Sequence, residues 1–122
     1  MIALLLACAL TVIDGDTLRC GPRRDGEVIR LLGIDAPELP GHCRRGRACA
    51  PGDPFASKAS LEAAVRAKGR VTIERHGRDR YGRTLAFVRV GRRDLSCHQL
   101  RAGAAIYRKD WDWRGRLKRV CL

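Results

Sequence analysis

Leu10-Thr11-Val12-Ile13-Asp14-Gly15-Asp16-Thr17-Leu18-Arg19-Cys20 is the stretch from which the fold can be read. Two short apolar runs, Leu10 to Ile13 and Thr17 to Cys20, flank Asp14-Gly15, one of the commonest hairpin turn pairs. A third run, Val28 to Ile34, follows the turn region Gly21 to Gly26. Further on, Val71 and Ile73 alternate with polar residues, as do Leu85 and Phe87, and Gly77 to Gly82 joins them. This predicts two more strands linked by a polar turn.

Helices punctuate this β pattern. Asp53 before Pro54 is a natural helix start, Leu61, Ala64 and Val65 share one helical face, and Gly69 after Lys68 is a natural stop. Asp94 to Ala102 reads as a second helix, capped by Asp94 and ended by Gly103. In the tail, Trp113, Leu117, Val120 and Cys121 fall at helical spacing, which predicts a short third helix with these residues as its buried face. Between the third strand and the first helix, Pro40 to Pro54 is rich in Gly, Pro, Cys and Arg without apolar period, the mark of an exposed loop. The expectation is an α+β domain built on a five-stranded, OB-like β-barrel with about three helices. At 122 residues, the chain is read as one domain over 1–122.

The first residues are ambiguous. Met1 to Leu10 is almost wholly apolar, like the hydrophobic stretch of a secretory signal, but it lacks a basic lead-in and runs straight into Thr11-Val12-Ile13. Residues 1–9 are a residual signal segment, part of the first strand, or some of each. The run is too short to span a bilayer.

Composition narrows the partners. Hydrophobic residues make up 45% and charged residues 31%, a balance that folds, while 25 Lys+Arg against 13 Asp+Glu leaves a net charge of +12. Such a field concentrates polyanions and makes their binding fall with salt. A basic surface that only aids solubility or meets acidic membranes is the plainer alternative, so the charge suggests a partner and not a reaction. Six cysteines, at positions 8, 20, 43, 49, 97 and 121, fit three disulfides in an oxidising compartment. No CxxC pair occurs, so Cys43 and Cys49 read better as a disulfide closing a surface loop than as zinc ligands. Cys8 and Cys20 flank the hairpin turn and can face each other, with free buried thiols as the alternative.

Three segments carry chemistry: Ile13-Asp14-Gly15-Asp16-Thr17, Arg30-Leu31-Leu32-Gly33-Ile34-Asp35-Ala36-Pro37-Glu38, and Asp79-Arg80-Tyr81-Gly82-Arg83. In that order they resemble the staphylococcal nuclease (thermonuclease) family. The likeness runs from about Leu10 to about Ile106 and includes Leu95 to Ala104, with Leu100 and Gly103. From the residues alone, Asp16 just past a tight turn and Asp35 at the end of an apolar run both reach one end of a barrel, and carboxylates suit a hard cation. For Asp14 the reading is turn chemistry. The resemblance implies that Asp16 and Asp35 hold the metal with the backbone carbonyl of Ala36. The family often has Thr at that last position, but a backbone contact survives the change. A preference for Ca²⁺ over Mg²⁺ or another divalent ion likewise comes from the resemblance.

Glu38 lies three residues beyond Asp35, and a carboxylate there suits a base acting on water. Its alternative is a surface ion pair with one of many arginines. Arg30 and Arg83 offer the planar forks that match phosphoryl oxygens, although any one arginine in so basic a chain is more often solvated. The resemblance implies Glu38 as general base and Arg30 and Arg83 as catalytic and substrate-binding clamps, with Arg83 also assisting the leaving group. Tyr81 meets a nucleotide's sugar or phosphate, or packs beside its turn. Trp111 and Trp113 offer base stacking, with packing on the last helix the stronger reading for Trp113. His42, His76 and His98 form no metal-ligand spacing and read as structural or surface residues.

The resulting expectation is a secreted or periplasmic, calcium-dependent endonuclease that hydrolyses DNA, RNA or both and leaves 3′-phosphate ends. It would act as a monomer without stable membrane insertion. The alternative is a non-catalytic module of the same shape that binds nucleic acid or peptide. The joint presence of Arg30, Glu38 and Arg83 argues against it. Two regions depart from the family pattern: the Cys- and Arg-rich loop from Pro40 to Pro54, and the tail after Ile106. The tail is short of a full terminal helix and would expose part of the core unless a disulfide involving Cys121 holds it down.

Overall fold

In the computed structural model, which describes residues 8–122, strand β1 (Leu10–Asp14) pairs antiparallel with β2 (Thr17–Cys20) around Gly15-Asp16, one residue later than the expected Asp14-Gly15 turn, because Asp14 still pairs with Thr17. The Asp14 carboxylate accepts the Asp16 amide at 3.1 Å, so the turn reading of Asp14 holds. Gly15 is there for space: a Cβ would lie 1.9 Å from Ser57 Oγ and 2.8 Å from the Ala36 Cβ. The suspected signal segment lies outside the described residues except for Cys8 and Ala9. Among the described residues, no helix is long and apolar enough to cross a membrane.

Strand β2 continues antiparallel to β3 (Glu27–Leu31). After the short β4 (Ile34–Asp35) and helix α1 (Pro54–Val65), β5 (Val71–Arg78) and β6 (Thr84–Val90) form a long antiparallel pair. Strand β6 then lies parallel to β3, giving the order β1-β2-β3-β6-β5, with β7 (Arg93–Asp94) also on β6. The strands at the two ends of this order, β1 and β5, are not paired, so the sheet has the expected OB-like curl of strands without a closed ladder. Instead, β1 lies against α1, where Gly15 lets Ser57 approach. A separate ribbon pairs β4 with β8 (Ile106–Tyr107).

Both long-predicted helices form as their caps dictate. Asp53 accepts the amides of Phe55 and Ala56 at 2.9 and 3.3 Å, with Pro54 at the first position. Asp94 accepts the Cys97 amide at 2.9 Å and starts α2 (Leu95–Arg101). Leu18, Ile29, Leu31, Ile34, Leu61, Phe87, Leu95 and Leu117 fill the core between sheet and helices. The third helix, α3 (Arg116–Val120), differs from expectation: only Leu117 is buried, while Trp113 and Val120 are exposed. The chain enters α3 through left-handed Arg114 and Gly115, which places Trp113 before the helix and turns it outward. Leu117 is locked in place because Asp112 accepts its amide and Gly33, with φ +82°, leaves room for its Cδ1. All six cysteines are paired, as Cys8–Cys20, Cys43–Cys49 and Cys97–Cys121, and the last ties α3 to α2.

Candidate functional site

The β1–β2 turn is held from below by α2. Buried Gln99 donates to the Gly15 carbonyl at 2.8 Å and to the Ser57 carbonyl at 3.0 Å, fixing the turn against α1. This positions Asp16, each of whose oxygens accepts one hydrogen bond: Oδ1 from the Thr17 hydroxyl and Oδ2 from the Ala36 amide, each at 2.8 Å. Thr17 is thus the supporting residue of Asp16.

Arg30 on β3 organises the interior of the site. It is 7% exposed, and its Nη1 donates to the carbonyls of Leu31 and Ile34 at 2.7 and 2.9 Å. Its Nη2 lies 3.2 Å from Asp16 and 3.5 Å from Asp35, so one guanidinium nitrogen serves both carboxylates. Asp35 also meets Arg47 at 3.5 Å and Arg108 at 3.4 Å. Burial pushes its carboxyl up and outweighs the pull of Arg30, while Asp16 adds to the rise. Asp14 is pushed up to about 7, chiefly by burial and then by the neighbouring Asp16 charge.

The opposite wall comes from the β5–β6 turn. Asp79 accepts the amides of Tyr81 and Arg83 at 2.9 and 3.0 Å, and its second oxygen accepts Arg83 Nε at 2.7 Å. Burial alone would raise the Asp79 carboxyl, but these bonds outweigh it and hold it below its ordinary value. Arg83 is thereby aimed by its own turn. Tyr81 is exposed, and the guanidiniums of Arg44, Arg80 and Arg83 lie 4.5, 5.1 and 5.5 Å from its ring centre. It does not pack into the core.

These walls enclose a cleft of about 1160 Å³ lined by Asp14, Asp16, Arg30, Glu38, Tyr81 and Arg83 among others. Asp35 and Ala36 lie beneath its wall, 1% and 2% exposed, linked to it through Arg30 and Asp16. Glu38 is at the mouth, with Arg47 Nη1 3.0 Å from Oε1. Trp111 and Trp113 line the far end. Trp113 does not cap the last helix but stacks on His76 at 3.7 Å, with Arg114 over its ring at 4.6 Å. Trp111 lies beneath the guanidiniums of Arg108 and Arg30, at 4.2 and 5.1 Å.

Several residues at the site were not singled out in the sequence. Arg44 and Arg47 come from the Pro40 to Pro54 loop, whose composition marks it as exposed but does not select individual arginines. Arg108 comes from the tail, where the motif likeness has faded. Asp14 was recognisable as a turn residue, but its place in the cleft wall depends on the packing of α1 and α2.

The donor set fits a hard cation. Among the described residues no three His, Cys, Asp or Glu side chains are gathered as a metal cage. Asp16 and Asp35 nevertheless converge on a single positive nitrogen, Nη2 of Arg30. Two carboxylates brought to one point are oxygen donors of the kind a hard cation takes while keeping several waters.

Residues 28–119 match the family described as staphylococcal nuclease homologue. That span contains Arg30, Asp35, Ala36, Glu38, Tyr81 and Arg83, and leaves Asp16 just outside. The chain is 28% identical over 117 residues to a thermonuclease of Staphylococcus hyicus, covering 91% of this chain and 66% of that protein. It is 34% identical over 80 residues to a thermonuclease of Staphylococcus intermedius, covering 66% of this chain and 46% of that protein. The chain thus spans less than two thirds of the length of these curated relatives.

Proposed function

This chain belongs to the staphylococcal nuclease homologue family, and from that premise we propose that it is a metal-dependent endonuclease acting on DNA, RNA or both. The observation that carries the reading is the single cleft onto which Arg30, Glu38, Arg83, Asp16 and Tyr81 all face. Two forked cations and a carboxylate at one cleft suit attack by water on a phosphodiester better than they suit a neutral ligand. In this reading residues 1–122 form one domain, which acts as a monomer outside the cytoplasm, where three disulfides persist.

Asp16, Asp35 and the backbone carbonyl of Ala36 would hold Ca²⁺, which when bound supplies positive charge to the phosphate and makes a nearby water easier to ionise. Glu38 orients the attacking water and takes its proton as the new oxygen–phosphorus bond forms. Arg30 and Arg83 hold the phosphoryl oxygens as their charge grows. The bond to the 5′-oxygen breaks, with Arg83 donating a hydrogen bond to that oxygen as it leaves and solvent water supplying the proton that makes it a hydroxyl, and the phosphate stays on the 3′ side. Tyr81, exposed at the rim, contacts the sugar or phosphate beside the break.

A second reading, a non-catalytic module that binds nucleic acid or peptide, draws on the Glu38–Arg47 pair, which ties up the carboxylate assigned as base. One assay separates the two: purified protein is incubated with single-stranded DNA, double-stranded DNA and RNA, with Ca²⁺ or with chelator. Calcium-dependent cleavage leaving 3′-phosphate ends is the expected result. Binding without cleavage under every divalent ion would establish the module instead, and cleavage indifferent to chelator would remove the metal from the mechanism.

A further inference from the structure

Three of the seven residues from Cys43 to Cys49 are arginines, and the loop they occupy crosses the mouth of the cleft. Residues 40–48 are exposed throughout. The local backbone bonds of this stretch are few: the His42 amide reaches the Leu39 carbonyl at 2.9 Å and the Arg47 amide the Arg44 carbonyl at 3.0 Å. What closes the loop is the Cys43–Cys49 disulfide, with Cα atoms 6.2 Å apart, around Gly46 at φ +81°. Such a loop has no core to hold it, so its place is set by the crosslink and by its arginines.

Those arginines point to opposite walls. Arg47 forks across the carboxylate wall, with Nη1 3.0 Å from Glu38 and Nη2 3.5 Å from Asp35. Arg44 reaches the other wall, where it donates to the Tyr81 hydroxyl and covers the ring at 4.5 Å. Among the described residues Arg47 is the only loop arginine in an ion pair, so Arg44 rests against a neutral phenol with most of its donors unspent. The Arg47 side chain is 39% exposed, which leaves its pairing with Glu38 open to competition by another anion.

We propose that the Cys43–Cys49 loop is a disulfide-set phosphate clip. Arg44 and Arg47 bind backbone phosphates of a strand in the cleft, to either side of the one between Arg30 and Arg83. Arg47 is a positioning residue whose transfer from Glu38 to a phosphate frees that carboxylate when the cleft fills. The inference rests on the reading of the cleft as a nucleic-acid site but not on the reaction, so binding alone tests it.

Binding of a fluorescein-labelled oligothymidylate is followed by anisotropy in chelator across a salt series, for the parent chain and three variants. These are Arg44→Ala/Arg47→Ala, Cys43→Ser/Cys49→Ser, and Arg92→Ala/Arg101→Ala, a control of equal charge loss in a separate hollow beside α2. The loop arginine variant is expected to bind about 10-fold more weakly at ~0.1 M salt. Its slope of log affinity against log salt should shrink by about 1.4, since each single-strand phosphate contact contributes ~0.7. The cysteine variant should lose about 3-fold or more, with both arginines retained, and the control about 2-fold or less. Equal losses in the loop arginine variant and the control would overturn the clip, and parental affinity in the cysteine variant would overturn the role of the disulfide. A parent chain that binds no oligonucleotide would defeat the reading of the cleft itself, a different failure from loop variants that match the control.

Discussion

At Arg30, one guanidinium does the work of a structural pin and of a counter-ion. It closes the carbonyls of Leu31 and Ile34 and stands between two buried carboxylates, Asp16 and Asp35. Replacing it with alanine leaves those carboxylates short of positive charge, a change that costs about 3 kcal/mol when a buried pair is broken. Under the proposed metal site Ca²⁺ should restore part of that loss. Thermal unfolding of Arg30→Ala with Ca²⁺ and with chelator is expected to show a larger gain from the ion than the parent shows. An equal gain, or none, would separate Asp16 and Asp35 from metal binding. At this scale the sequence was legible only as far as place: the motifs singled out Arg30, Glu38 and Arg83, and all three line the cleft. It was not legible at Arg47 or Arg108, because nothing distinguishes one arginine among many until the chain brings it to Asp35.

Elements were legible wherever a local signal specified them. Asp53-Pro54 and Asp94 start helices because their side chains accept amides that have no partner in the helix, and the alternating runs form strands. The tail shows the limit: Trp113, Leu117 and Val120 share a helical spacing, but left-handed Arg114 and Gly115 begin the helix after Trp113 and only Leu117 is buried. Spacing alone cannot reveal a break in backbone hand. The open sheet is likewise invisible to strand patterns, because whether β1 pairs with β5 is decided by how distant elements pack and not by either strand's own residues. The short α3 relies on the Cys97–Cys121 link, so the double substitution Cys97→Ala/Cys121→Ala should lower unfolding free energy by roughly 2–4 kcal/mol in urea titration. A loss below about 0.5 kcal/mol would mean that Leu117 alone holds the tail. Glu27 joins three strands, accepting from Arg75 at 2.8 and 2.6 Å and from the Thr84 hydroxyl at 2.6 Å. Hydrogen bonding by Arg75 lowers its carboxyl to about 2, so its stabilisation is full above about 4.5 and is lost as pH falls towards 2. Urea unfolding across that window should show the parent losing on the order of 2 kcal/mol more than Glu27→Gln. Parallel curves would place the acid sensitivity elsewhere.

For the whole molecule, charge and disulfides set the conditions under which the cleft works. A net charge of +12 draws polyanions to the molecule as a whole, so attraction alone does not define a site. What distinguishes the cleft is that forked cations from β3 and from the β5–β6 turn stand across from Glu38, while the Cys43–Cys49 loop bridges its mouth. The central claim is therefore one of chemistry at Glu38 and not of affinity. It is tested most directly by the calcium-dependent cleavage rate of Glu38→Gln at saturating oligonucleotide, with binding measured on the same preparation. A parent that cuts, and a variant that binds at least as well but cuts about 10²- to 10⁴-fold more slowly, is the predicted result, that range being what a general base contributes. A variant that cuts at the parental rate would contradict the account.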